Sequence, residues 1–276
     1  MVAHFMVKQA NWLNKELISQ NRDIITVENL TVGYNETNIL EDVGFSVREG
    51  EIFAILGSSG CGKTTLFNAL IGLLRPKQGI INIGGERLSS EQDEEALARV
   101  RRQIGVLFQS GALLDWLTVG ENIAFRLRES TNLPEELIEH IVRLKLEMVR
   151  LEKNIHSMPS ELSGGMVRRA GLAAAMSLDP EILLCDEPTS GLDPATAMGI
   201  DDLLLEVNQF LDITVLVVSH EVMTLENITS RCIMLDKEVK GIIAYGTLQE
   251  LQYNSEDPRV KTFFQRRIDR KNTKKG

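Results

Sequence analysis

The run Gly57-Ser-Ser-Gly-Cys-Gly-Lys63-Thr64 constrains this chain more than any other. It fits G-x-x-x-x-G-K-[ST]. Glu51-Ile-Phe-Ala-Ile-Leu56, an apolar segment of buried-strand length, precedes it, and a helical pattern from Lys63 to Ile71 follows. Strand, glycine-rich turn and helix in that order make a phosphate cradle. Gly57, Gly60 and Gly62 let the backbone wrap closely, and the N–H groups of a loop that also holds Ser58, Ser59 and Cys61 face the ligand together with the helix N-terminus. Lys63 can reach the β and γ phosphates, and the Thr64 hydroxyl suits Mg²⁺. Cys61 has two readings: a redox switch, because a helix N-terminus lowers a thiol pKa, or a small filler of the loop, which is favoured.

The rest of the chain supplies a setting for such a loop. Ile24–Val27 and Val43–Val47 are short β runs, and Gly79–Ile83 is another. From about Ser110 to Asp179 the helical period dominates, with Pro134-Glu-Glu as a first turn before Ile138, Ile141, Val142, Leu144 and Leu146. Alternation follows: strand 182–186, helix 195–210, strand 214–218, helix 221–227, and strands 232–235 and 241–245. The expected fold is therefore α/β, a mainly parallel covered sheet with a helical insert. Residues 1–22 read as an arm, with Met6, Ala10, Leu13 and Leu17 at helical spacing, and residues 271–276 as a short, basic, disordered tail.

Composition removes several classes of function. Thirty Lys+Arg against 39 Asp+Glu give a net charge of −9, which argues against a nucleic-acid binder. Three scattered cysteines make no disulfide framework and read as reduced cytosolic thiols. The longest apolar runs, such as Ile213–Val218, are far short of the roughly 18–20 residues that cross a bilayer, and the first 23 residues show no signal-peptide pattern.

A second site element is Ile182-Leu-Leu-Cys-Asp186-Glu187, an apolar strand ending in two acids. Asp186 can hold the water shell of Mg²⁺, and Glu187 stands where it could polarise an attacking water. Leu162-Ser163-Gly164-Gly165-Met166 opens an apolar helix; alone it reads as a helix cap, yet it also offers backbone donors and a hydroxyl to phosphate.

In this order the motifs resemble those of ABC-transporter ATPase subunits, from about Ile24 to Phe264. Gly57–Thr65 resembles Walker A, Leu162–Met166 the family signature, Leu183–Glu187 Walker B, and Ser190-Gly-Leu-Asp193 the D-loop. The resemblance implies a P-loop NTPase core with a mainly parallel sheet, an antiparallel β portion and an inserted helical subdomain. The ATPase domain is expected over 23–255, its helical subdomain over about 110–179, and a C-terminal helix with the basic tail over 256–276. The resemblance also implies roles. Gln109 senses Mg²⁺ and the attacking water, His220 contacts the γ-phosphate, and Tyr34 stacks on adenine. Thr65 and Asp193 join the nucleotide site. Two subunits pair head to tail, so that Ser163, Gly164 and Gly165 act on the partner's ATP.

The segment Ile104–Leu114, the signature residue Met166 followed by Arg168 and Arg169, and Asp257-Pro-Arg-Val-Lys-Thr-Phe-Phe264 are similar to those of the Mla/Mce-associated ATPases, the MlaF type. That likeness implies phospholipid transport between bacterial inner and outer membranes, powered from the cytoplasmic face of the inner membrane. A multi-pass permease, an Mce-domain protein and a small STAS-domain protein are the implied partners. The alternative is the ATPase of an importer for another cargo such as amino acids, in which Gln usually stands at the place of Met166. A further alternative is a nucleic-acid-linked ABC protein without a permease; such chains usually fuse two ATPase halves or insert long coiled coils, whereas here there is one Walker A, no internal repeat, no sustained heptads and an acidic balance. A regulator without turnover is disfavoured by the presence of both Glu187 and His220. In the C-terminal segment, Val260, Phe263 and Phe264 lie at helical spacing among Arg259, Lys261, Arg266 and Arg267. They either pack on this chain's own ATPase domain or reach a second subunit or regulatory partner.

Overall fold

The computed structural model describes residues 22–273 apart from 92, 221–224 and 227. The expected N-terminal arm, most of the expected helix over 221–227 and the last residues of the basic tail lie outside the described residues.

Two long strands, β1 (Asp23–Tyr34) and β2 (Thr37–Arg48), form an antiparallel hairpin where the sequence shows only two short β runs. The alternation is broken because the register shifts between Val27 and Leu30. Asn29 and Asp42 both sit there with left-handed backbones, φ 47° and 51°, and Asn29 Nδ2 donates to Asp42 Oδ1 at 2.9 Å. β4 (Gln78–Ile83) and β5 (Glu86–Leu88) complete a sheet of order β2-β1-β4-β5.

The second sheet carries the chemistry. Its order is β10-β9-β3-β8-β7-β6, with β3 (Ile52–Gly57), β6 (Ile104–Leu107), β7 (Ile182–Asp186), β8 (Thr214–Ser219) and β9 (Arg231–Asp236) parallel, and β10 (Gly241–Gly246) antiparallel at one edge. All six residues of β3 are buried. Ile52, Ala54 and Leu56 enter one apolar core, while Phe53 and Ile55 enter the other, shared with β1, β2 and β4. Each of the isoleucine, leucine and phenylalanine side chains contributes about 1.5–3 kcal/mol on burial. The phosphate loop therefore hangs from a strand of the sheet that separates the two cores.

Helix α1 (Lys63–Leu70) follows the loop, and α2 (Glu94–Gln103) lies between β5 and β6. The sequence reading has no element at α2, because its buried face is the narrow stripe Ala96, Leu97 and Val100 in an otherwise charged segment. The expected helical insert is built from α3 (Val119–Ser130), α4 (Glu135–Met148) and α5 (Gly164–Ala175). A capping box of Thr118 and Glu121 starts α3, and Ile123, Leu127, Ile138, Val142, Leu146 and Ala170 close the insert over a common core. Helix α6 (Pro194–Leu211) returns the chain to β8.

The C-terminal helix α7 runs Pro258–Thr273 and so takes in the first three residues of the segment expected to be a disordered tail, because the helical backbone continues unbroken from the anchored turns. Val260 is buried at 0% exposure and Phe264 at 6%, both in the main apolar core of this chain, with Phe263 packed against it. Of the two readings of that segment, packing on the chain's own domain describes its first two turns. No helix among the described residues is long and apolar enough to cross a membrane.

Candidate active site

Parallel strands deliver their C-terminal ends to one rim, and the candidate residues collect there. β3 ends in Gly57 and the phosphate loop, β7 in Asp186 and Glu187, and β8 in Ser219 before His220; Gln109 follows β6. Together they line a cleft of about 440 Å³, bounded by Ser59, Gly60, Gly62, Lys63, Thr64, Thr65, Gln109, Asp186, Glu187 and His220, with Ile39 as an apolar wall.

Lys63 is 7% exposed. Its ammonium donates to the carbonyls of Gly57, at 2.9 Å, and Ser58, at 3.1 Å, and lies 4.0 Å from Glu187 Oε1. A buried cation held mainly by neutral carbonyls, above a loop of exposed Ser58, Ser59 and Gly60, is matched to an incoming anion. Cys61 faces the interior at 1% exposure, and burial pushes its thiol up despite the nearby helix start. Of its two readings the structure supports the filler.

Glu187 has a left-handed backbone, φ 49°, an uncommon state for a residue with a Cβ, and its N–H is held by the Val218 carbonyl at 2.8 Å. That turn points its carboxylate into the cleft. Oε1 lies 2.7 Å from His220 Nδ1, and Oε2 accepts from the His220 backbone N–H at 3.3 Å. Beside it, Asp186 is half-buried with Oδ1 lacking any hydrogen-bond partner. Burial, and then the neighbouring Glu187 charge, raise the Asp186 carboxyl above its ordinary value. A buried carboxylate oxygen without a partner, in a cleft that Thr64 also lines, suits a hard cation that takes its other ligands from phosphates and water.

Other candidates lie elsewhere. Tyr34 ends β1, half exposed, outside the cleft lining. Ser163 caps α5, its hydroxyl accepting from Met166 N at 3.4 Å; Gly164 is exposed, and a Cβ on Gly165 would meet Thr196 Cγ2 at 2.3 Å. Asp193 caps α6, accepting from the N–H groups of Ala195 and Thr196 at 3.1 Å each and from the Thr196 hydroxyl at 2.5 Å, which holds its carboxyl below the usual range. None of these five residues lines the cleft. The link between cleft and insert is tight: a Cβ on Gly171 in α5 would lie 2.6 Å from the Gly111 carbonyl, two residues after Gln109. The buried Asn122 pins the end of that loop, donating to the Leu114, Leu117 and Thr118 carbonyls and accepting from Leu114 N. Sequence reasoning missed Ile39, since an isoleucine in a strand carries no chemical signal.

The model of the ABC transporter family matches residues 40–190. The chain belongs to the ABC transporter family. This ABC ATPase binds and hydrolyses ATP. It is 42% identical over 250 residues, 90% of this chain and 93% of the relative, to "Intermembrane phospholipid transport system ATP-binding protein MlaF" of Haemophilus influenzae. It is 40% identical over 239 residues, 87% of this chain and 68% of the relative, to "Probable ribonucleotide transport ATP-binding protein mkl" of Mycobacterium leprae. A solved dimeric ATP-binding cassette in a post-hydrolysis state, bound to ADP and Pi, is 30% identical with a TM-score of 0.73, over 81% of this chain and 98% of that one.

Proposed function

We propose that this ABC ATPase powers phospholipid transport between the inner and outer membranes of a bacterium, working as a head-to-tail homodimer on the cytoplasmic face of the inner membrane. The observation that carries the ATPase part is the convergence of Lys63, Thr64, Asp186, Glu187 and His220 in one cleft. The cargo rests on the 42% identity to a phospholipid-transport relative along nearly the whole chain.

In this reading the loop N–H groups and Lys63 bind the β and γ phosphates, and Tyr34 stacks on adenine. Thr64, Asp186 and Gln109 would hold Mg²⁺, which when bound would supply positive charge against that of the phosphates. Glu187 takes the proton of the attacking water, its carboxylate aimed by His220, which also contacts the γ-phosphate. Ser163, Gly164, Gly165 and Asp193 lie outside their own cleft and serve the ATP of the second subunit. A multi-pass permease holds the dimer at the membrane, an Mce-domain protein receives the lipid, and a small STAS-domain protein binds the ATPase.

Reconstitution of the chain with its permease in liposomes tests the cargo. ATP should drive transfer of labelled phospholipid, and Lys63→Ala should abolish it. ATP-driven movement of a nucleotide or an amino acid, with phospholipid left in place, would overturn the lipid assignment in favour of another importer.

A further inference from the structure

The segment Asp257–Phe264 belongs to none of the nucleotide motifs, yet it is tied to the phosphate loop. Val260 and Phe264 anchor α7 in the core. In front of them, Arg259 folds back on Asp257: its backbone N–H and Nε donate to Oδ1 at 2.8 and 3.0 Å, and Nη2 donates to Oδ2 at 2.6 Å. The guanidinium beside it holds the Asp257 carboxyl down to about 2. This bidentate contact leaves Nη1 to reach Asp236 Oδ1 at 3.3 Å, at the end of β9. Asp236 Oδ1 also accepts from the backbone N–H groups of Glu238 and Val239, at 3.0 and 3.2 Å, so the strand end is fixed from both sides.

Leu235, the residue before Asp236, is paired with Gly57 across β9 and β3. No slack exists there: a Cβ on Gly57 would lie 2.7 Å from the Leu235 carbonyl oxygen. The Gly57 carbonyl in turn holds the Lys63 ammonium at 2.9 Å. A continuous path thus runs from Arg259 through Asp236, Leu235 and Gly57 to the cation that meets the phosphates.

We infer that Arg259 is a positioning residue for nucleotide binding, setting the phosphate loop from the C-terminal helix through Asp236. This rests on the nucleotide site proposed above. Displacing α7 from Asp236 loosens the end of β9 and with it the Gly57 carbonyl, so ATP affinity falls while the hydrolytic group Glu187, directly after β7, keeps its place.

The test is steady-state kinetics and ATP titration on the full-length protein. Arg259→Ala should raise KM for ATP, and the Kd, about threefold to tenfold, with kcat within about twofold of the wild type. Arg259→Lys should recover part of the loss, because one ammonium can still reach a carboxylate. Asp236→Asn has the same shape and keeps an acceptor for the 238–239 turn, so it carries the test if Arg259→Ala does not fold; KM should rise there too. A folded variant at either position with wild-type KM, or one whose kcat falls while KM stays, overturns the inference. Lys63→Ala separates the two readings. If it weakens ATP binding and Arg259→Ala does not, only the role of Arg259 fails; if it binds ATP normally, the nucleotide site itself is misplaced.

Discussion

Glu187→Gln separates binding from turnover more cleanly than any other change in the cleft. The amide is isosteric, so the left-handed turn at residue 187 and the acceptor for the His220 backbone N–H can persist. The lost charge costs little in binding, because the Lys63 ammonium is already 4.0 Å from the carboxylate, at the outer limit of an ion pair, and its nearer partners are the Gly57 and Ser58 carbonyls. ATP affinity should therefore stay within about threefold of the wild type, corresponding to less than about 0.7 kcal/mol. What the amide cannot do is take a proton from water. Positioned general bases contribute about 10²–10⁴ in rate, so kcat should fall by that factor, or about 2.7–5.4 kcal/mol of transition-state stabilisation. Phosphate release under single-turnover conditions, beside ATP titration of the same preparation, measures both quantities. Turnover within tenfold of the wild type would refute the assignment of Glu187 as base. A large loss of ATP affinity would instead give Glu187 a part in holding the nucleotide.

Three further outcomes are expected. Gly165→Ala drives a methyl into Thr196 Cγ2, whose hydroxyl is bonded to Asp193; ATPase activity should drop about tenfold or more, and the second change Thr196→Ser, which removes Cγ2 but keeps the hydroxyl, should restore most of it. No recovery in the double variant's rate would show that the clash is not the cause. Asp186 has a raised carboxyl, so its ionisation costs stability as pH rises from the ordinary carboxylate value through the raised one, and the cost persists at neutral pH. Asp186→Asn should then raise the Tm of the nucleotide-free protein at pH 7, leave it unchanged well below pH 4, and reduce the extra stabilisation by Mg·ATP; a lower Tm at pH 7 would contradict this. Phe264→Ala removes a core aromatic at 6% exposure and should cost about 3–5 kcal/mol in chemical denaturation, whereas an undiminished midpoint would place that side chain outside the core.

The cleft was legible where its chemistry is contiguous in sequence. Gly57–Thr64 and Asp186–Glu187 carry residue types that few structural needs call for together, and each sits at the end of an apolar run that reads as a strand. His220 and Gln109 were reachable only through the order of the motifs, since a lone histidine or glutamine after a strand is usually a polar cap. The β1–β2 hairpin was only half legible, because Asn29 and Asp42 break the alternation at the bulge. The path from Arg259 to Gly57 was invisible for another reason: its two ends lie about two hundred positions apart in the chain, and it uses an aspartate and an arginine of the commonest kind.

The placement of β3 has a consequence for how the sequence of this protein can vary. A strand with one face only half-buried, such as β4 with Gln78 and Asn82, accepts polar residues at alternate positions, because only every second side chain is fully withdrawn from water. β3 offers no such freedom, since odd and even positions enter different cores. In a saturation scan Ile52–Gly57 would read as an unbroken block of six intolerant sites. Drift there would have to proceed by small apolar exchanges compensated on whichever side of the sheet they enlarge, so the segment before the phosphate loop would be among the slowest of the chain to change.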